Sequence, residues 1–191
     1  IAVDLELVPL GPLVLHGDGG VSVKGPDPGN ASAYLTWPRL RTSGWVRVDG
    51  AELAVAGESW LDHEWGTSQL GAGVAGWDWL GVRLADGRSL MAFRLRRADG
   101  AADPHSSGTL VAADGSTRHL AAADLEIAPV GTWTSAASGA AYPARLRVRV
   151  PAAGLDLELR PWVAAAEIDA RASTGVVYWE GPVDVTGSAA G

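Results

Sequence analysis

Residues 76–100 read GWDWLGVRLADGRSLMAFRLRRADG, and this stretch decides the fold. Apolar and polar residues alternate along LGVRLADG (80–87) and again along LMAFRLRRADG (90–100). Such alternation is typical of antiparallel strands with one buried face. Each segment ends in Asp-Gly, a pair that accepts the positive φ angles of tight hairpin turns. The stretch therefore predicts a β-hairpin followed by a second turn.

The same period of two recurs along most of the chain. It is seen in VDLELVPL (3–10), WVRVDG (45–50), ELAVAG (52–57), LRVRV (146–150) and LDLEL (155–159), with further Asp-Gly pairs at 49–50 and 114–115. Many short strands at regular spacing favour a barrel or a sandwich. We therefore predict an all-β, antiparallel protein. Two Gly-rich passages interrupt the pattern: 11–32 is predicted to be a loop, and 67–76 a linker between two β units.

Composition narrows the class of function. The 191 residues carry a net charge of −7, and there is no cysteine. An acidic chain without a basic patch does not favour nucleic acid as a partner, and disulfides and thiolate catalysis are excluded. Nine tryptophans suggest either a large apolar cavity or a barrel filled with bulky side chains. The chain begins at Ile1 without an initiator methionine, so we expect a piece of a longer protein.

The segment SWLDHEWG (59–66) embeds three polar residues in aromatic surface. On a strand, Asp62 and Glu64 share one face with Trp60, while His63 shares the other face with Leu61 and Trp65. A carboxyl group against an indole is desolvated, which raises its pKa and makes it a usable proton donor. The alternative is a satisfied polar cluster, in which Asp62 bonds to backbone N–H groups and Glu64 to an arginine.

Aromatic side chains accompany acidic ones at a second place. Trp77 and Trp79 share one strand face, so Asp78 on the other faces solvent or pairs with an arginine such as Arg83.

Two more segments combine aromatic and charged side chains. Tyr34 shares a face with Thr36 just before Trp37-Pro38 (37–38) disturbs the strand, and Arg39 is a candidate partner for one of the carboxylates of 59–66. Near the C-terminus, Tyr178 and Glu180 share a face opposite Trp179.

Metal and nucleophile chemistry have little support in the sequence. The four histidines, His16, His63, His105 and His119, lie far apart, so we predict no metal site. The sequence contains no Gly-x-Ser-x-Gly elbow and no phosphate-binding glycine loop.

Six ordered motifs resemble the AttH-like family, which includes hydroxyneurosporene synthase (carotenoid 1,2-hydratase) and lipocalin-like proteins labelled predicted secreted hydrolases. These motifs are YLTWPRLRTSG, GESWLDHEWGTSQL, GWDWLGVRLADGRSLMAFRLRRADG, DPHSSGTLVAADG, TWTSAASGAAYPARLRV and TGVVYWEGPVDVTG. The resemblance implies two lipocalin-like barrels in tandem. Residues 1–70 would be the C-terminal part of the first barrel. Residues 71–191 would form the second barrel without its last strand.

The resemblance also implies an activity and roles for residues. It points to a cofactor-independent enzyme that adds water to a C=C bond of a large apolar substrate, with Asp62 as proton donor and His63 or Glu64 orienting it or activating water. The aromatic substrate-binding wall would include Tyr34, Trp65, Trp77, Trp79 and Tyr178, with Arg39 and Glu180 as structural ion-pair candidates. Expected partners are an apolar small molecule and no nucleic acid. The family suggests an extracytoplasmic, membrane-proximal parent protein.

Three alternatives stay open at this point. The barrel could carry a lipid, terpenoid or polyketide without chemistry, because lipocalin-like barrels bind ligands by architecture alone. A second alternative is a pericyclic cyclase, because relatives in this family catalyse intramolecular Diels–Alder reactions. In the third alternative, SWLDHEWG holds the two barrels together, its charged side chains are paired between them, and the function lies elsewhere.

Overall fold

The protein is built almost entirely from antiparallel strands, as a computed structural model shows for residues 1–67, 70–189 and 191. The predicted all-β, antiparallel fold class is confirmed. The strands are β1 (Ala2–Pro9), β2 (Val14–Leu15), β3 (Val21–Val23), β4 (Ala31–Val48), β5 (Ala51–Trp65), β6 (Val74–Arg83), β7 (Ser89–Arg97), β8 (Ser107–Val111), β9 (Thr117–Leu120), β10 (Glu126–Thr134), β11 (Ala141–Val150), β12 (Leu155–Pro161), β13 (Glu167–Asp169), β14 (Val177–Trp179) and β15 (Val183–Gly187). One 3₁₀ turn, Pro151–Ala153, precedes β12.

The chain divides into two compact units, Ile1–Ala122 and Ala123–Gly191. Strands β5 and β6, on the two sides of the predicted linker at 67–76, both belong to the first unit. Ser68 and Gln69 of that linker lie outside the described residues. The division into lipocalin-like domains at residues 1–70 and 71–191 stays a prediction.

Two sheets make up the first unit. In one sheet, β4 pairs with β1, β2, β3 and β5 along different parts of its length; in the other, the order is β6-β7-β8-β9. Strand β4 has room for four partners because it is 18 residues long. The passage 11–32, predicted as a loop, contains β2 and β3, so that expectation was wrong. These strands of two and three residues are too short to show alternation.

Asp-Gly pairs close four hairpins, as predicted, but in two different ways. In the β4–β5 turn both residues have positive φ, 49° at Asp49 and 84° at Gly50. This combination matches the twist of the flanking strands. In the turns at Asp86-Gly87 (86–87), 99–100 and 114–115 only the glycine has positive φ. There the aspartate carboxylate instead accepts the backbone N–H two residues later.

A bulge interrupts the long β4–β5 hairpin at Pro38. Trp37 pairs with Leu61, but the next pair is Leu40 with Ser59, so two residues of β4 oppose one residue of β5. Proline has no N–H to give to the ladder, which explains why the irregularity falls there. The predicted disturbance at Trp37-Pro38 is confirmed.

The hydrophobic core of the first unit lies along β7. Leu90, Met91, Phe93 and Leu95 are almost completely buried, and Tyr34 of β4 packs against the last three. Burying one such side chain stabilises the fold by about 1.5–3 kcal/mol. Trp60 packs on the same cluster, which brings β5 close to β7.

The second unit has its own sheets. Its main sheet has the order β10-β11-β12-β15, and β13 and β14 form a separate two-stranded sheet. The buried residues Val148, Leu157 and Leu159 alternate with charged ones along β11 and β12, as the sequence patterns predicted. No helix among the described residues is long and apolar enough to cross a membrane.

Candidate functional site

The two carboxylates of SWLDHEWG lie on one face of β5. Asp62 pairs with Thr36 and Glu64 with Tyr34 across the β4–β5 ladder. Side chains directly opposite each other in antiparallel strands share a face, so all four point to the same side. The predicted face-sharing of Asp62 and Glu64 therefore holds, and it brings them to buried residues of β4.

Asp62 is held by side-chain donors. Its Oδ1 accepts hydrogen bonds from the Thr36 hydroxyl and, at 2.9 Å, from the Trp60 indole N–H. The Tyr34 hydroxyl is a third donor to the carboxyl group. Asp62 is an exposed residue, but the protein atoms packed around its carboxyl group raise its pKa, against the lowering effect of the three hydrogen bonds.

Glu64 has a different environment. Its Oε1 lies 2.9 Å from Nζ of Lys24 and accepts a hydrogen bond from the Ser32 hydroxyl. Lys24 is 5% exposed, and its Nζ lies 4.0 Å from the centroid of the Phe93 ring. Burial lowers the pKa of Lys24, and the bond to Glu64 opposes that shift. The two carboxylates thus differ sharply: Glu64 is ion-paired, whereas Asp62 has no Lys or Arg partner among the described residues.

A buried histidine stands behind Asp62. His16 is 1% exposed; its Nε2 lies 2.7 Å from the Thr36 hydroxyl and its Nδ1 lies 2.8 Å from the Thr109 hydroxyl. Burial, aided by the charges of Lys24 and His119, lowers the pKa of His16 to about 4. We call Asp62, Glu64, Thr36, Tyr34, His16 and Lys24 together the Asp62 site.

Aromatic rings flank the Asp62 site. Trp79 donates its indole N–H to the Tyr34 hydroxyl at 2.9 Å, and Trp77 and Trp79 pair with Leu95 and Phe93 of the core across β6 and β7. Both tryptophans keep about two-fifths of their surface exposed, 44% and 39%. Trp79, which is hydrogen-bonded to Tyr34, therefore offers exposed aromatic surface to a ligand beside Asp62.

Comparison with known proteins identifies the family. The AttH-like family model matches residues 1–191, the whole chain. The chain belongs to the AttH-like family. None of the curated proteins compared matches it significantly.

Two solved structures are similar to this AttH-like chain. A crystal structure described as a "putative AttH" from Nitrosomonas europaea has 39% identity and a TM-score of 0.89, covering 98% of this chain and 58% of its own. Kievitone hydratase from Nectria haematococca has 19% identity and a TM-score of 0.78, covering 98% and 56%. At that identity the second likeness shows the fold alone. The AttH-like chain spans somewhat more than half the length of these relatives.

The remaining predicted site residues divide between the two units. His63 lies on the opposite face of β5 from Asp62, its ring 4.6 Å from that of Trp65, which is half exposed. The geometry thus joins Asp62 with Glu64 but leaves His63 with Trp65. Tyr178 lies in β14 of the second unit, opposite Ile168.

The predicted ion-pair candidates found different partners or none. Arg39 donates to Glu58 at 3.1 Å and to the backbone oxygen of Leu84. Its acidic partner thus lies just before SWLDHEWG and is neither of the two carboxylates in that segment. Glu180 forms no ion pair within 1–67, 70–189 and 191. Asp78 pairs with an arginine, as one alternative held, but with Arg94 and Arg96 of β7.

Other kinds of site find little support in this AttH-like chain. No group of three His, Asp or Glu side chains in the described part is placed to hold a metal ion. His105 contacts Asp103 at 2.8 Å, but the neighbouring Ser106 hydroxyl donates to the Asp103 backbone oxygen and accepts the Leu95 N–H. The Ser106 hydroxyl therefore has a structural role, and it is not oriented toward His105 as a nucleophile would be.

Sequence reasoning missed His16 and Lys24. Each follows a very short strand within the Gly- and Pro-rich passage 11–32, where no periodicity shows which way a side chain points. One signal was available for the second: Lys24 is the only lysine in a chain whose other cations are all arginine.

Proposed function

We propose that this chain supplies the acid–base site of a cofactor-independent hydratase, which adds water across a C=C bond of a large apolar substrate. The observation that carries the proposal is the contrast between the two carboxylates of the Asp62 site. Asp62 has a raised pKa and no cationic partner within the described part of the chain, whereas Glu64 is ion-paired with Lys24. Two carboxyl groups whose environments differ in this way are suited to acid and base roles.

The environment of Asp62 favours its protonated form, in contrast to that of an exposed, arginine-paired aspartate such as Asp156. Asp156, for comparison, accepts two hydrogen bonds from Arg147, which lower its pKa to about 2. The hydrogen-bond donors that the described residues supply to Asp62, among them Thr36 and Trp60, are uncharged. A carboxylic acid that keeps its proton nearer to neutral pH is a more effective general acid.

The reaction uses the groups as follows. Asp62 transfers its proton to one alkene carbon, a C–H bond forms from the π electrons, and the other carbon becomes a tertiary cation. The faces of Trp60 and Trp79 stabilise this cation. A water molecule then adds through its oxygen, and Glu64 takes the proton that the bound water loses. Solvent exchange at the exposed edge of Asp62 returns each carboxyl group to its starting state.

The comparisons support the chemistry at a coarse level. A hydratase shares this fold, and the six sequence motifs resemble a family that includes carotenoid 1,2-hydratase. The exposed indoles beside the acid fit a flat, unsaturated hydrocarbon chain, so an acyclic carotenoid end or a prenyl group is the substrate class that we propose.

The test is hydration in oxygen-18 water. The protein is incubated with an acyclic carotenoid and, separately, with a prenylated phenol, and products are analysed for one added water by mass spectrometry. We expect Asp62→Asn to lower the rate by about 10²- to 10⁴-fold, the usual contribution of a general acid. Asp4→Asn, an exposed aspartate of β1, is the matched control and should keep wild-type rates.

Thermal unfolding and probe binding separate the alternatives. An acid role predicts that Asp62→Asn retains both the melting temperature and the affinity for the two probes. If the wild-type protein binds them and forms no hydrated product, it is a carrier and the hydratase proposal falls. A structural staple at Asp62 would instead reveal itself as a large loss of stability in the asparagine variant.

A further inference from the structure

Four side chains form a continuous hydrogen-bonded row that ends at Asp62. Thr109 contacts His16 Nδ1 at 2.8 Å, His16 Nε2 contacts Thr36 at 2.7 Å, and Thr36 contacts Asp62 Oδ1. The histidine and both threonines are at most 3% exposed. The contacts are direct, at hydrogen-bonding distance, and the side chains that make them are shielded from solvent.

The direction of the row is fixed at its Asp62 end. The indole N–H of Trp60 can only donate, and it donates to the same Oδ1 that contacts Thr36. The carbonyl oxygen of a carboxyl group is a better acceptor than its O–H oxygen, so we assign Oδ1, which accepts from Trp60, as the carbonyl oxygen, and Thr36 donates to it as well. Thr36 has a single proton, and its oxygen must then accept from Nε2 of His16. The bare Nδ1 in turn accepts the proton of Thr109.

We propose that His16 is a positioning residue for Asp62. As the neutral Nε2–H tautomer, it fixes the Thr36 hydroxyl as a donor to Oδ1 and so confines the acidic proton of Asp62 to Oδ2. This inference rests on the proposed function for its catalytic meaning. Its structural content, a defined tautomer and a defined proton position, stands apart from any substrate.

Other charged and titratable groups face the row and must be controlled. Tyr34 of β4 and Glu64 of β5 lie beside Asp62, while Lys24, after β3, and His119 of β9 act on His16. His119 pairs directly with Thr109 across the β8–β9 ladder and is exposed. Its low burial makes it a suitable reference position.

The experiment measures the tautomer and the proton without turnover. Nitrogen-15 NMR of labelled histidine should show a protonated Nε2 and an unprotonated Nδ1 at His16 at neutral pH. Carbon-13 NMR of the Asp62 carboxyl group then gives its titration midpoint. Thr36→Val removes one donor to the ionised form and should raise this midpoint by about one pH unit. Thr36→Ser should restore it.

Two variants of His16 separate positioning from filling of space. His16→Leu fills the site without a donor and should raise the Asp62 midpoint, as Thr36→Val does. His16→Gln keeps an N–H toward Thr36 and should return the midpoint toward the wild-type value. His119→Gln, the matched control, should leave the tautomer of His16 unchanged.

The outcomes separate this inference from the proposed function. An Nδ1–H tautomer in the wild-type protein, or equal Asp62 midpoints for His16→Leu and His16→Gln, overturns the positioning role. If His16→Leu does not fold, the wild-type tautomer and Thr36→Val still decide the matter. If both NMR predictions hold but no alkene is hydrated, the positioning role stands and the hydratase falls. If the NMR predictions hold and hydration is also observed, the acid limb of the pH–rate profile should shift with the Asp62 midpoint.

Discussion

Lys24 and Glu64 form an ion pair in which the cation is buried and the anion is not fully so. Nζ lies 2.9 Å from Oε1, and the side chains are 7% and 28% exposed. The pair joins the residue after β3 to the end of β5, so it ties two otherwise separate partners of β4 together.

Loss of the cation should therefore destabilise the fold. Lys24→Met leaves Glu64 without a charge partner in a half-buried position, and we expect the free energy of unfolding to fall by about 2–3 kcal/mol. Urea unfolding measures this. Arg47→Met is the control, because Arg47 and Glu52 are both about half exposed and such pairs contribute less than about 1 kcal/mol. Equal losses in the two variants would show that Lys24 is not structurally important.

Stability should fall in acid because of His16. Its pKa is about 4 in the folded protein and near 6.5 in the unfolded chain, so the unfolded state binds more protons between these values. The contribution is fully present above pH 6.5 and is lost as the pH falls toward 4. A pKa difference of that size corresponds to about 3 kcal/mol.

Urea unfolding at several pH values isolates this contribution. His16→Gln does not titrate, so its stability should fall less than that of the wild-type protein as the pH goes from 6.5 to 4. The comparison is needed because Asp62 and Asp78, with raised pKa values, act in the opposite direction. The same pH dependence in both proteins would contradict the prediction.

Gly81 is predicted to be required for the packing of two indoles. A Cβ at this position would lie 2.9 Å from Cε2 of Trp60 and 3.0 Å from Cη2 of Trp79. Gly81→Ala should displace one or both rings, change the tryptophan fluorescence and destabilise by about 1–3 kcal/mol. Gly57→Ala, in β5 with nothing within 4 Å, is the control and should leave the spectrum unchanged.

Asp78 should be more important for stability than a surface aspartate or glutamate. Its side chain is 8% exposed and lies 3.8 Å from Arg94 and 3.6 Å from Arg96. Asp78→Asn leaves two guanidinium groups around a neutral amide, and we expect a loss of about 3 kcal/mol. Glu52→Gln on the exposed pair with Arg47 should cost less than about 1 kcal/mol, and a similar cost at both positions would refute the prediction.

Local rules predicted much of the fold. Alternation located parts of β1, β4, β5, β6, β7, β11 and β12, and Asp-Gly located the four turns, because both signals depend only on neighbouring residues. The single proline of β4 likewise predicted the irregularity at which the bulge lies. The two types of Asp-Gly turn were not separable in advance, since the same dipeptide takes either positive φ at Asp49 or a side-chain bond at Asp86.

The site was only half predictable for the same reason. Asp62 and Glu64 are two residues apart on a strand, which predicted that they share a face, and in the structure they do. Their partners His16 and Lys24 are 46 and 40 positions earlier in the numbering. Only the pairing of β2 and β3 with β4 brings them close, and pairing between distant segments leaves no mark in local sequence. Arg39 did not reach the predicted carboxylates because it lies between the pairs Trp37–Leu61 and Leu40–Ser59, past the positions opposite Asp62 and Glu64.

The bulge at Pro38 gives the long hairpin two opposite parities. On the Asp62 side, even-numbered residues of β4 face even-numbered residues of β5, whereas beyond the bulge even-numbered residues face odd-numbered ones. Deleting one residue at 38 or 39 would remove the bulge and leave a regular ladder in which Leu40 still opposes Ser59. Paired insertions near Asp49 and Gly50 would leave the inner half untouched. The part of the hairpin between the bulge and the turn at 49–50 can thus change length during evolution, or accept a grafted loop, without changing the pairing of Asp62 and Glu64.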